Sequence, residues 1–265
     1  MRNTRPSKSR HVRWTAMAAL ALSLGVTVAS GEVLTLADAT NTTHGQHKTM
    51  TPDSILTAKQ LAISPIAAFA AAGDMPRLNT ALEQGLNAGL SISECKEILV
   101  QLYAYAGFPR SLNALGELMK VVQARSQRGI ADALGRDAGP VPVGQALLEA
   151  GTANQTKLAG APVKGPLFDF APAIDQYLKT HLFGDIFERD NLDWQSRELA
   201  TVGMLAAMPS VEPQLRAHIG ISMNVGLTPA QLHQAIQVLA EQGNVEAAQR
   251  AQAALDAQLA SAAHS

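Results

Sequence analysis

Apolar positions along this chain recur at the three-to-four-residue spacing of helices, with few of the β-branched and aromatic runs that strands favour. Cys95, Ile98, Leu99 and Leu102 fall on one helical face, and Glu97, Gln101 and Tyr105 line the adjoining stripe at i, i+4 and i+8. Further on, Glu198 shares a face with Val202 and Leu205, and His218 shares one with Leu215, Ser222 and Val225. Both polar groups are therefore expected to point inward among apolar neighbours. A buried carboxylate needs a partner, which Arg197, His218 or a hydroxyl can supply. The stretch Tyr103 to Leu115, "YAYAGFPRSLNAL", interrupts the pattern. Gly107 and Pro109 are expected to end a helix and turn the chain, holding Tyr105 at its last turn.

One helix junction is written twice. "GLSISECKEIL" (89–99) and "GLTPAQLHQAI" (226–236) both read Gly-Leu, then Ser or Thr, then Glu or Gln three positions later. Gly suits a left-handed helix end, Ser91 or Thr228 caps the next helix, and Glu94 or Gln231 closes the capping box. Asn87 matches Asn224, and Leu61 falls near Leu199. An internal duplication with a period of about 137 residues follows. The expected organisation is a first helical repeat over 51–125, a connector over 126–165 and a second repeat over 166–260. The connector, rich in Gly, Ala and Pro, is expected to hold one short helix around Gln145 to Ala150. Phe183 and Phe187, at i and i+4, suit an interface.

Residues 1–30 read as an export signal: a basic start (Arg2, Arg5, Lys8, Arg10, Arg13), an apolar run from Thr15 to Ala29, and small residues for cleavage near Ser30. A flexible leader over 31–50 is expected to follow, giving a periplasmic or secreted protein without stable membrane association after cleavage. The 265 residues carry 21 Lys and Arg against 22 Asp and Glu, a formal charge of -1. That balance offers no basic stripe for nucleic acid. The single cysteine, Cys95, excludes an internal disulfide and dithiol chemistry. No metal set is expected, since His181, His218 and His233 lack ligand spacing and His44 and His47 lie in the leader.

These residues resemble the carboxymuconolactone decarboxylase family, which includes the alkylhydroperoxidase proteins. "RELATVGMLAAM" (197–208), His218 and "NVGLT" (224–228) match the first part of that family's repeat, and "ECKEILVQLYAYAGFP" (94–109) matches the second. The resemblance spans residues 55 to 255 and implies an all-α fold of two alkylhydroperoxidase-like helical repeats packed as one bundle-like unit. Each half lacks what the other keeps: Ala81 stands where His218 aligns and Gln60 where Glu198 aligns, while "EQGNVE" (241–246) replaces Y-x-G-x-P. A composite pocket could join the halves of one chain or of neighbouring subunits. The cysteine pair of the peroxidase branch would fall near Ser210 and Pro213, where no thiol stands.

The resemblance implies a cofactor-free lyase for a small carboxylated lactone or related acid. His218 or Tyr105 would be the general acid, Glu198 or Glu97 would orient it, and Arg197 or Arg110 would hold the substrate carboxylate beside Gln101. Sequence alone favours His218 as a satisfied core residue over a catalyst, and leaves Arg110 equally readable as a surface residue. The chief alternative is a non-catalytic exported binding or assembly protein. A peroxidase working through Cys95 is the weaker third, because it needs an exposed thiol where the pattern buries one. The family resemblance also implies a homo-oligomer, trimeric or hexameric.

Overall fold

A computed structural model describes residues 55–263. The stretches expected to be an export signal and a leader, with His44 and His47, lie outside the described residues. Within them the fold is all-α, with no strand.

Two helices form the centre. Helix α1 (Ala58–Ala72) is apolar on every side, and nine consecutive residues, Ile63 to Ala71, are buried. Helix α8 (Trp194–Ala207) is buried continuously from Ser196 to Ala206. Helices of that composition have no face to offer water, so they pack against each other in the middle. The Ser64 hydroxyl, itself buried, donates to the Leu199 carbonyl at 2.9 Å and ties the crossing.

Amphipathic helices surround this pair. Helices α2 (Met75–Asn87), α3 (Ile92–Gln101) and α4 (Tyr103–Gln127) pack around α1. Helices α9 (Glu212–Asn224), α10 (Pro229–Glu241) and α11 (Val245–Ala262) follow α8 in the same order. Ser91 caps α3 and Thr228 caps α10, each completed as a capping box by Glu94 or Gln231. Gln60, set opposite Glu198 by sequence register, closes a third box with Thr57 at the start of α1 instead. A helix-start role holds it in the first turn, away from the core.

The break in "YAYAGFPRSLNAL" falls at Gly107, whose φ of 80° is a conformation that L side chains rarely adopt. Pro109 then starts the second limb, which Ser111 pins under α3 by donating to the Leu99 carbonyl at 2.7 Å. Tyr105 thus sits one turn before a fixed bend. Tyr103 packs by stacking on Phe108.

The intervening segment is more structured than expected. Helix α5 (Gln145–Ala159) runs fifteen residues instead of stopping near Ala150. Gly151, which reads as a breaker, lies inside it at a close crossing: a Cβ there would stand 1.8 Å from the Lys179 carbonyl. Its partner is a π-helical segment (Leu178–Ile186) continuing the short helices α6 (Pro166–Phe170) and α7 (Pro172–Tyr177). Phe183 and Phe187 are buried here with Leu158, Leu182, Ile186 and Ile221, so they serve a second small core within the chain.

Candidate functional site

Between α5, the π-helical segment and α9 lies a cavity of about 940 Å³. Its walls include Leu178, Leu182, Phe183 and Met208, and His218 and Tyr105 reach it from opposite halves of the sequence. The two rings meet edge to face with centroids 5.6 Å apart, so the composite site forms within one chain.

His218 is held by Glu198, with Nδ1 2.9 Å from Oε2. With Glu198 as a carboxylate, which only accepts hydrogen bonds, Nδ1 carries the proton, and no described residue bonds Nε2. Glu198 is fully buried, and its second oxygen has no hydrogen-bond partner. The Ser222 hydroxyl donates to the His218 carbonyl at 2.7 Å and braces the same turn of α9. An imidazole with one nitrogen fixed by a buried carboxylate and the other free at a cavity wall is arranged for proton transfer.

Tyr105 differs from its expected role. Burial, and then the charge of Glu198, push its hydroxyl well above the ordinary tyrosine range. It therefore keeps its proton and can act as a hydrogen-bond donor. The hydroxyl lies 3.3 Å from Thr201 Oγ1, a long contact that leaves it available to the cavity.

Glu97, Gln101 and Arg197 form a separate buried network behind the tyrosine. Arg189 grips Glu97 through two bonds, Nε to Oε2 at 2.8 Å and Nη2 to Oε1 at 2.6 Å. Arg197 adds a bond from Nη2 to Oε2 at 3.2 Å and donates to the Arg189 carbonyl at 2.8 Å. Gln101 donates to the Arg197 carbonyl at 3.0 Å and to Thr201 at 2.8 Å. None of Glu97, Gln101 and Arg197 lines the cavity. Burial pushes the Glu97 carboxyl up, but the hydrogen bonds from Arg189 and the charge of Arg197 hold it below the usual range. Of the two glutamates expected to orient a general acid, Glu198 is the one that contacts His218; Glu97 contacts Arg189 and Arg197 instead. Arg197, expected to hold a substrate carboxylate, is instead fully buried and paired with Glu97, away from the cavity.

Arg110 is exposed, with its guanidinium over Gly73 at the end of α1, and it does not reach the cavity. Cys95 is fully buried, and burial pushes its thiol up to about 12, so it is not the exposed thiolate that peroxide reduction requires.

Sequence reasoning missed Arg189, Thr201 and Gln155. Arg189 pairs across 92 positions and carries no local signal. Gln155, which also lines the cavity, sits on the part of α5 read as a loop. No curated protein gives a significant match to the chain. Residues 172–257, about a third of the chain and the part that carries Glu198 and His218, match the model of the Carboxymuconolactone decarboxylase family, which supports that family for this half of the site.

Proposed function

We propose that the cavity is the active site of a carboxymuconolactone decarboxylase-like lyase that needs no cofactor, with His218 as its general acid. The observation that carries this reading is the Glu198–His218 pair at 2.9 Å beside Tyr105 on the cavity wall. In the proposed reaction the bond from the substrate to its carboxylate carbon breaks and CO₂ leaves. The electron pair passes into the substrate's own conjugated carbonyl. His218 Nε2, protonated at the start, returns a proton to that carbon, and the Glu198 carboxylate offsets the imidazolium charge beforehand. The Tyr105 hydroxyl stays protonated and donates a hydrogen bond to the developing enolate oxygen.

No described residue lining the cavity is Lys, Arg, Asp or Glu. The departing carboxylate accordingly meets the His218 imidazolium rather than a guanidinium. Apolar walls make a localised carboxylate charge costly; loss of CO₂ spreads that charge into the enolate, and the proton from His218 then removes it. The shared order of α1–α4 and α8–α11, with closely matched spacing over the first three helices of each, supports reading the halves as copies of one unit, one keeping Tyr105 and the other Glu198 and His218.

The test follows CO₂ release and ultraviolet absorbance of the full chain with carboxymuconolactone and a panel of lactone acids and 3-oxo acids. Turnover is expected with at least one, and His218→Ala should lower it by roughly 10²–10⁴-fold. Turnover that survives His218→Ala undiminished would overturn the assignment. A folded protein inert toward the whole panel would favour a binding protein with the same fold.

A further inference from the structure

We propose that, beyond the group that meets His218, the substrate has an uncharged apolar body and presents one neutral oxygen, a carbonyl or hydroxyl, to the carboxamide of Gln155. This rests on the cavity being the active site.

The first observation is Gln155 itself. It is 4% exposed and lines the cavity, and its carboxamide makes no hydrogen bond to another described residue. Its neighbours show the contrast. Asn154 donates to the Phe183 carbonyl at 2.9 Å and to Glu188 at 2.6 Å, and Asn224 donates to the Leu158 carbonyl at 2.9 Å. Those amides fasten α5 to the elements around it, and Gln155 fastens nothing. Its amide is not among the sealed polar atoms, so it opens onto the cavity, where a ligand oxygen can take the place of water on it.

The second observation is charge. Apart from His218, no described lining residue is a cation that could receive an anion. The nearby cations are engaged elsewhere. Lys157 lies over the Trp194 ring at 4.8 Å, Lys179 pairs with Asp175 at 2.5 Å, and Arg189 and Arg197 are spent on Glu97. A second carboxylate on the substrate would be desolvated with no counter-charge. The third observation is size. About 940 Å³ stands at the upper end of the roughly 300–1,000 Å³ common for ligand sites, and Leu178, Leu182 and Phe183 form a continuous apolar wall. A compact dicarboxylated lactone would leave that wall uncovered.

Isothermal titration of the full chain with δ-dodecalactone and with carboxymuconolactone tests this directly. The uncharged twelve-carbon lactone should bind more tightly than the carboxylated one. Gln155→Leu should weaken δ-dodecalactone binding about tenfold, the worth of one neutral hydrogen bond. The same variant should not lower the melting temperature, because the amide holds no other element in place. Tighter binding of carboxymuconolactone, no binding of δ-dodecalactone, or unchanged affinity in Gln155→Leu would each overturn the proposal. The readout is binding without turnover, so a failed decarboxylase assay leaves this inference standing. Conversely, His218-dependent turnover of carboxymuconolactone with tighter binding would remove the substrate class and leave the chemistry.

Discussion

Glu198 does two things to His218: it turns the ring and it fixes which nitrogen holds the proton. The 2.9 Å contact to Nδ1 requires a proton there as long as the glutamate is a carboxylate. Replacing Glu198 by Gln keeps the size of the side chain but allows the amide to donate to Nδ1. The proton would then sit on Nε2 of a neutral ring, a far weaker acid than the imidazolium that the carboxylate offsets in the proposed step. A tautomer error of this kind costs on the order of 10²–10⁴-fold in kcat. Tyr105→Phe should cost less, about 10- to 100-fold, since it removes one donor to the reacting oxygen and preserves the ring contact. Nitrogen NMR of the imidazole gives a check independent of any substrate. The neutral ring should carry its proton on Nδ1 in the wild type and on Nε2 in Glu198→Gln, and the same tautomer in both would sink the argument. Tyr105→Phe should leave the tautomer as it is in the wild type.

Helices α3 and α8 are coupled by charge as well as by packing. Glu97 on α3 and Arg197 on α8 are 4% and 0% exposed at their side chains, and Arg189 closes the pair from the preceding loop. Because the folded carboxyl titrates below its ordinary value of 4.5, Glu97 adds stability above that pH. This contribution is lost as the pH falls through the folded value. Glu97→Gln should therefore lose about 3–5 kcal/mol near neutral pH, where Arg197 is left buried without its counter-charge. Urea melts should show the variant and the wild type converging in acid, below the folded value; a gap that is constant with pH would refute the linkage. Much of this architecture could be read from local signals. The capping boxes at Ser91 and Thr228, the bend at Gly107 and the inward faces of Glu198 and His218 each depend on residues a few positions apart. What escaped was long-range. Arg189 reaches Glu97 only after α3 and α8 pack, and its loss to the sequence reading is why Glu97 looked free for chemistry. Gly151 reads as a break unless one knows that another backbone crosses there, so α5 and its cavity-facing Gln155 were hidden together.

At the scale of the whole molecule, the site exists only when all parts of the chain have folded. Tyr105 comes from the first four helices, Gln155 from α5, and Glu198 and His218 from the last four. Cys95 sits in the main core, which joins α1, α8 and the helices around them, and it reports on that common folding. Its thiol is fully buried and is pushed up to about 12, so the reactive thiolate is scarce at neutral pH and the sulfur cannot be reached from solvent. Labelling by a disulfide reagent such as dithionitrobenzoate must then wait for the core to open. The native protein should label far more slowly than an unstructured thiol. The rate should rise with added urea in step with loss of helical circular dichroism, and peroxide should not be consumed. Cys95→Ala should preserve lyase turnover while lowering stability by roughly 1 kcal/mol for the small cavity it leaves. Fast stoichiometric labelling without denaturant would contradict the burial. Combined with peroxide consumption that Cys95→Ala abolishes, it would return the chain to thiol chemistry and make the His218 pair a structural feature.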